Sequence, residues 1–167
     1  MTDNYIRVIQ PLSADVLLEC GTNGRAPYCQ QRYSQNLSEV EGSRYDFANG
    51  DYVVPAFANQ NTSWLLLLNG TDYQIYAGTN LAITAGSLTD PAIIKARLKA
   101  DSTDAAVEVS LKTKNNPETV LKDPQFVGEP VEYNGRIYFF FREVASEYTD
   151  GGTIIYSRVA MVCMNDT

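Results

Sequence analysis

The sequence predicts an all-β protein of stacked antiparallel sheets, with a β-propeller as the architecture that fits. Three observations lead there. Asn-Gly pairs at Asn69-Gly70 and Asn134-Gly135 sit between apolar runs, and that pair is the strongest short hairpin signal because a two-residue type I′ turn needs φ > 0 at both positions. The segment Ile137-Tyr-Phe-Phe-Phe-Arg142 is apolar on both sides of a strand, since successive side chains point to opposite faces. Weak internal echoes recur at a spacing near that of a large propeller blade.

The elements follow in order. "DVLLE" before Cys20 reads as a strand, closed by the turn-rich loop "GTNGRAPY" between Cys20 and Cys29. That loop reads as a small disulfide loop, with two buried thiols as the alternative. Residues 30–52 are polar with scattered aromatics and read as loop. "LLLLNGTDYQIY" is a hairpin, and its "AGTN" at 77–80 echoes "CGTN" at 20–23, 57 residues earlier. Residues 98–124 form the longest polar connection, in which "AAVEVSL" alternates like a strand and "ETVLKD" reads as one helical turn. "PVEYNGRIYFFF" is a second hairpin, its turn 65 residues after the first. Ile137, Phe139 and Phe141 face one side of its second strand; Tyr138, Phe140 and Arg142 face the other. The expectation is a strand covered on both faces, with the aromatics serving as core. A period of roughly 60 fits fewer than three times into 167 residues, whereas closed propellers have about 4–8 blades. An incomplete propeller is expected, as a single domain over 1–167.

Composition narrows the function classes. The chain carries a formal charge of −7 and a pI near 4.5, the reverse of the basic footprint that nucleic-acid binding needs. No apolar run approaches the roughly 18 residues of a membrane span, and the N-terminus has no signal-peptide apolar region. Four N-x-[ST] sequons, at Asn36, Asn61, Asn69 and Asn165, together with the cysteines point to an extracellular origin. Histidine is absent, which removes Ser-His-Asp and Cys-His arrangements and the commonest zinc ligand. No phosphate-cradling or dinucleotide motif is present, so neither metal nor cofactor is expected. Asp101 and Asp104 read as a solvated acidic loop. Nothing in the order of residues positions a glycosidase-type carboxylate pair.

Several segments resemble the semaphorins. "DNYIRVIQPLSADVLLECGTNGRAPYC" is similar to the family's Asn-Tyr-Ile-Arg-Val, Cys-Gly-Thr-Asn and Pro-x-Cys. "AGTNLAITAGSLTDPAIIKARL" resembles its Gly-Thr strand followed by Asp-Pro-x-Ile. "GRIYFFFREVASEY" and "IYSRVAMVC" resemble its Tyr-Phe-Phe-Phe-Arg-Glu and Tyr-Ser-Arg-Val-Ala-x-Val-Cys. The resemblance runs nearly end to end, weakest at 30–66 and 98–118. It implies sema-type blades, about two to three of seven, truncated at both ends, in an extracellular ligand that binds plexin receptors in axon and cell guidance. Neuropilin as co-receptor and a homodimeric parent come with it. A sema-propeller receptor of plexin or scatter-factor-receptor type is the alternative within the superfamily, and a sialidase-like propeller hydrolase the alternative outside it.

The resemblance also implies site residues. Cys20 and Cys29 keep the spacing of a family disulfide, while Cys163 matches a cysteine whose partner lies beyond Thr167. Thr2, Tyr45 and Gly151 stand where the family carries cysteines. Residues 124–163 correspond to third-blade material, and the receptor is met by an edge of the third and fourth blades. The candidates there are Arg142 and Glu143 at the strand exit, expected to reach water or each other, and Glu147, Tyr148 and Asp150 in the connection that follows.

Overall fold

The computed structural model describes residues 3–47, 53–70, 72–80, 83–84, 87–88, 92–98, 107–113, 121–145, 147 and 152–166. Within them the chain forms three stacked antiparallel sheets. The first is a meander of β1 (Ile6–Pro11), β2 (Val16–Gly21), β3 (Tyr28–Tyr33) and β4 (Glu39–Asp46). The second contains β5 (Thr62–Asn69) and β6 (Asp72–Thr79), then β9 (Ile93–Leu98) and β10 (Val107–Lys112), in the order β10-β9-β6-β5. A small two-stranded sheet, β7 (Ile83–Thr84) and β8 (Ser87–Leu88), interrupts the chain between β6 and β9. In the third sheet, β13 (Arg136–Val144) pairs along one side with β11 (Gln125–Phe126) and β12 (Val131–Tyr133), and along the other with β14 (Ile155–Cys163). Among the described residues the only helix is a single 3-10 turn, Asn23–Arg25.

Both hairpins form, but only the second turns on its Asn-Gly pair; in the first, Asn69 is the last residue of β5 and the turn begins at Gly70. Tyr133 pairs with Arg136 across Asn134 (φ 52°) and Gly135 (φ 72°), the two positive values a type I′ turn requires. Asn69 pairs with Asp72 across Gly70 (φ 65°). The two Gly-Thr echoes occupy equivalent places: Gly21 closes β2 and Thr79 closes β6, each the second strand of its sheet. "AAVEVSL" supplies β10, with its alternating exposure. Residues 118–120 of "ETVLKD", like Asp101 and Asp104, lie outside the described residues, and its second half, 121–123, is not helical.

The second sheet is the middle layer, and its strands bury alternate residues in two different cores. Ile75, Ala77, Ala96 and Leu98 join Val8, Leu18, Cys20, Cys29 and Tyr45 of the first sheet, with Trp64. From the other face, Tyr76 and Ile93 meet Ile137, Phe139 and Val162 of the third sheet. This two-sided burial explains the near-continuous apolar character of β5, β6 and β9. Lys95, buried on β9, donates from Nζ to the carbonyl of Met164 at 2.8 Å and also to that of Asp166, tying the middle sheet to the end of β14.

The structure corrects two expectations. Residues 30–52 are not simply loop, because they contain the end of β3 and all of β4. β4 is an edge strand that turns Ser43 and Tyr45 inward and most of the rest to solvent, so its sequence reads as polar. Nor is β13 covered on both faces. Ile137, Phe139 and Phe141 are buried against the middle sheet, but Phe140, on the opposite face, is 43% exposed, because among the described residues no sheet packs on that side.

Candidate functional site

The end of β13 and the start of β14 carry the sequence-predicted residues. Alternation separates Arg142 from Glu143. Arg142 projects from the exposed face, opposite Gln125 and Ser157. Glu143 points inward, is buried, and pairs with Arg158, Nε to Oε1 2.6 Å. The backbone N–H of Lys122 donates to its other oxygen at 2.9 Å, and the Val144 N–H donates to the Lys122 carbonyl at 3.0 Å. Of the expectation that Arg142 and Glu143 reach water or each other, Arg142 reaches water, whereas Glu143 turns inward to Arg158. Glu143 is an internal anchor.

Arg158 extends the network outward. Its Nη2 donates to Glu147 Oε1 at 2.5 Å, and its guanidinium lies 5.6 Å from the centre of the Tyr156 ring. The hydrogen bond to Glu147 raises the Arg158 pKa further above the ordinary arginine value. The result is an acid–guanidinium–acid row running from the buried Glu143 to the exposed Glu147. Charge-assisted bonds of this kind fix orientation more than they add affinity. A shallow hollow of about 220 Å³ adjoins the row, lined by Asp123, Gln125, Arg142, Glu143, Val144 and Ile155. Tyr148 and Asp150 lie outside the described residues.

Sequence reasoning missed Arg158 and Lys122. The signal for Arg158 is the register of two strands: Phe141 pairs with Arg158 and Glu143 with Tyr156, so the arginine sits diagonally across from the glutamate on the same face. That register was not predicted.

The other site residues are distributed. A disulfide joins Cys20 and Cys29, which face each other directly across β2 and β3. Cys163 is a free thiol. Tyr45 is paired with Cys29 on β4, buried, and its hydroxyl accepts a 2.6 Å hydrogen bond from Gln31 Nε2. Asn36, Asn61, Asn69 and Asn165 are all exposed; Asn36 Oδ1 accepts from the N–H and hydroxyl of Ser38 at 3.0 and 2.8 Å.

A concavity of about 560 Å³ lies between β1, β5 and the β11–β12 connection. Glu129 is the sole acid in its lining, whereas glycoside hydrolysis of the usual kind needs two flanking carboxyl groups.

Comparison with known proteins decides the family. Semaphorin-1A of Schistocerca americana is 34% identical over 172 residues, covering 98% of this chain and 19% of the relative. Semaphorin 5c of Drosophila melanogaster is 35% identical over 163 residues, covering 98% of this chain and 13% of the relative. The chain belongs to the semaphorin family. No family model matches it. The solved Drosophila Semaphorin 2a superposes with a TM-score of 0.68 at 26% identity, over 98% of this chain and 26% of that one. A structure of Drosophila Plexin A in complex with Semaphorin 1b gives a TM-score of 0.63 at 27% identity, over 98% of this chain and 27% of that one. The three sheets are thus blades of a sema propeller, incomplete as they stand, and the semaphorin segment spans under a fifth of the curated relatives' length.

Proposed function

We propose that this chain acts outside cells as part of a semaphorin-type ligand for a plexin receptor in axon and cell guidance, and that it is not an enzyme. The observation that carries the reading is the match, over 98% of the chain, to a solved structure of Drosophila Plexin A in complex with Semaphorin 1b. The exposed sequons and the disulfide fit an extracellular setting. Glycans on Asn36, Asn61, Asn69 and Asn165, neuropilin as co-receptor and a dimeric parent belong to the same proposal.

In this reading Arg142, Glu147, Tyr148 and Asp150 meet the receptor, and Glu143 holds Arg158 so that Glu147 is presented in one orientation. Tyrosine supplies contact area with little lost rotamer freedom, and rim charges set the association rate. The test is to place Tyr148→Ala, Asp150→Lys and Glu147→Lys in a full-length semaphorin carrying this segment and measure binding to a plexin ectodomain by surface plasmon resonance. Weaker binding by all three, with melting unchanged, is the expected result. Affinity unchanged throughout removes this edge from the interface.

A further inference from the structure

Strand direction sorts the sequons between two ends of the sheets. The β1–β2 and β3–β4 turns share one end, where the Ser34 N–H donates to the Asp15 carbonyl at 2.9 Å. The β5–β6 turn joins them there, because the Tyr73 hydroxyl near the start of β6 donates to the Leu12 carbonyl at 3.1 Å. Asn36, in the β3–β4 turn, and Asn69, the last residue of β5, both lie at this end. The opposite end holds the start of β5, the end of β6 and the end of β13: Ser63 pairs with Gly78, Gly78 meets the Phe126 ring, and Phe126 pairs with Phe141. Asn61, exposed one residue before β5, lies at this second end. It is also joined to the candidate site. The Asn61 carbonyl accepts from the Asn80 N–H at 3.4 Å, and Asn80 Nδ2 donates to Gln125 Oε1 at 3.1 Å. Gln125 in turn pairs with Arg142 across β11 and β13.

We propose that Asn61 is a regulatory glycosylation site: a glycan carried there stands beside the receptor edge and lowers a plexin's access to Arg142 and Glu147, while glycans on Asn36 and Asn69 leave that edge free. The proposal rests on the plexin reading above. An N-linked glycan is bulky and hydrated and sweeps the surface around its attachment point. Docking already requires two specific patches to meet in one orientation. A sweeping chain that begins two hydrogen-bonded residues from Arg142 removes approach directions from that encounter. Distance frees the other end: β5 is eight residues long, so Asn69 stands roughly 26 Å from Asn61 at about 3.3 Å per residue. Ser63, the hydroxyl residue of the Asn61 sequon, is buried and donates from Oγ to the Gly128 carbonyl at 2.7 Å. The sequon is defined by that hydroxyl, so the sugar is added before the second and third sheets pack.

The test uses a full-length semaphorin carrying this segment, expressed in cells that add N-glycans, with Asn61→Gln, Asn36→Gln and Asn69→Gln made singly. Glycopeptide mass spectrometry reads occupancy, and surface plasmon resonance reads binding to a plexin ectodomain. The Asn61 peptide is expected to carry a glycan. Asn61→Gln should raise the association rate about threefold or more, and the other two variants should bind as the wild type does. Trimming the wild-type protein with an endoglycosidase should reproduce the Asn61→Gln effect with the sequence unchanged, which keeps the test open if that variant folds poorly. Three results would overturn the proposal: a bare Asn61, an association rate that neither Asn61→Gln nor trimming raises, or an equal gain from Asn36→Gln or Asn69→Gln. A wild type that binds no plexin either before or after trimming overturns the plexin reading itself, and this inference with it.

Discussion

The ring of Phe126 lies against the bare Cα of Gly78, so close that a Cβ there would stand 2.7 Å from it. Gly78 is the next-to-last residue of β6 in the middle sheet, and Phe126 sits on the third sheet, its ring edge-on to Phe139 and tilted to Phe141 at centroid distances of 6.1 and 5.3 Å. The glycine of "AGTN" is thus a packing requirement between two blades. Gly78→Ala should destabilise the chain by roughly 1–3 kcal/mol, as overpacking does. Urea denaturation at constant m-value measures it. Equal or greater stability would mean that Phe126 moves aside freely.

Neighbouring phenylalanines should behave differently. Phe139 is fully buried, so Phe139→Ala should cost about 3–5 kcal/mol. Phe140→Ala, on the open face, should cost well under half as much. Paired thermal melts check the contrast, and similar losses for both would show that the open face is covered.

Cys20 and Cys29 close a loop with a sequence separation of 9. Removing the bond by a Cys20→Ser, Cys29→Ser double change should cost roughly 2–3 kcal/mol by loop entropy. Peptide mapping without reductant should recover this pair linked and Cys163 alkylated. Cys163 linked to either of the others contradicts the assignment.

Alkaline pH should loosen the fold. Burial raises the Tyr45 hydroxyl above the ordinary tyrosine value, against a smaller opposing effect of the Gln31 hydrogen bond, and burial raises Tyr76 likewise. Unfolded tyrosines ionise near about 10. Above that value the folded chain binds more protons than the unfolded one. The stability is therefore full below it and lost as pH rises through the folded values. Burial lowers the Lys95 ammonium, which gives the opposite slope in the same range, so the slope must be compared between proteins. Tyr76→Phe should lose less stability than the wild type from about pH 9 to about pH 11. Equal slopes would exclude Tyr76 as a contributor.

Much of this protein was legible in the sequence because the signals are local. Asn134-Gly135 can adopt two positive φ values where other pairs resist, so the hairpin was readable from two letters. Ile137, Phe139 and Phe141 share a face by alternation alone. The short loop between Cys20 and Cys29 brings the two thiols close with little chain to order, and the order of motifs carried the family. Tertiary structure decided what depends on neighbours distant in the chain. It set which face of β13 packs on the middle sheet, because that depends on how the two sheets stack. It made β4 a strand, because an edge position lets polar residues pair through the backbone with β3. It gave Glu143 an inward role, because Arg158 reaches it only once β13 and β14 take up their register. Side-chain alternation is written into a strand, but the partner that meets each face is a matter of long-range packing, which no local pattern encodes.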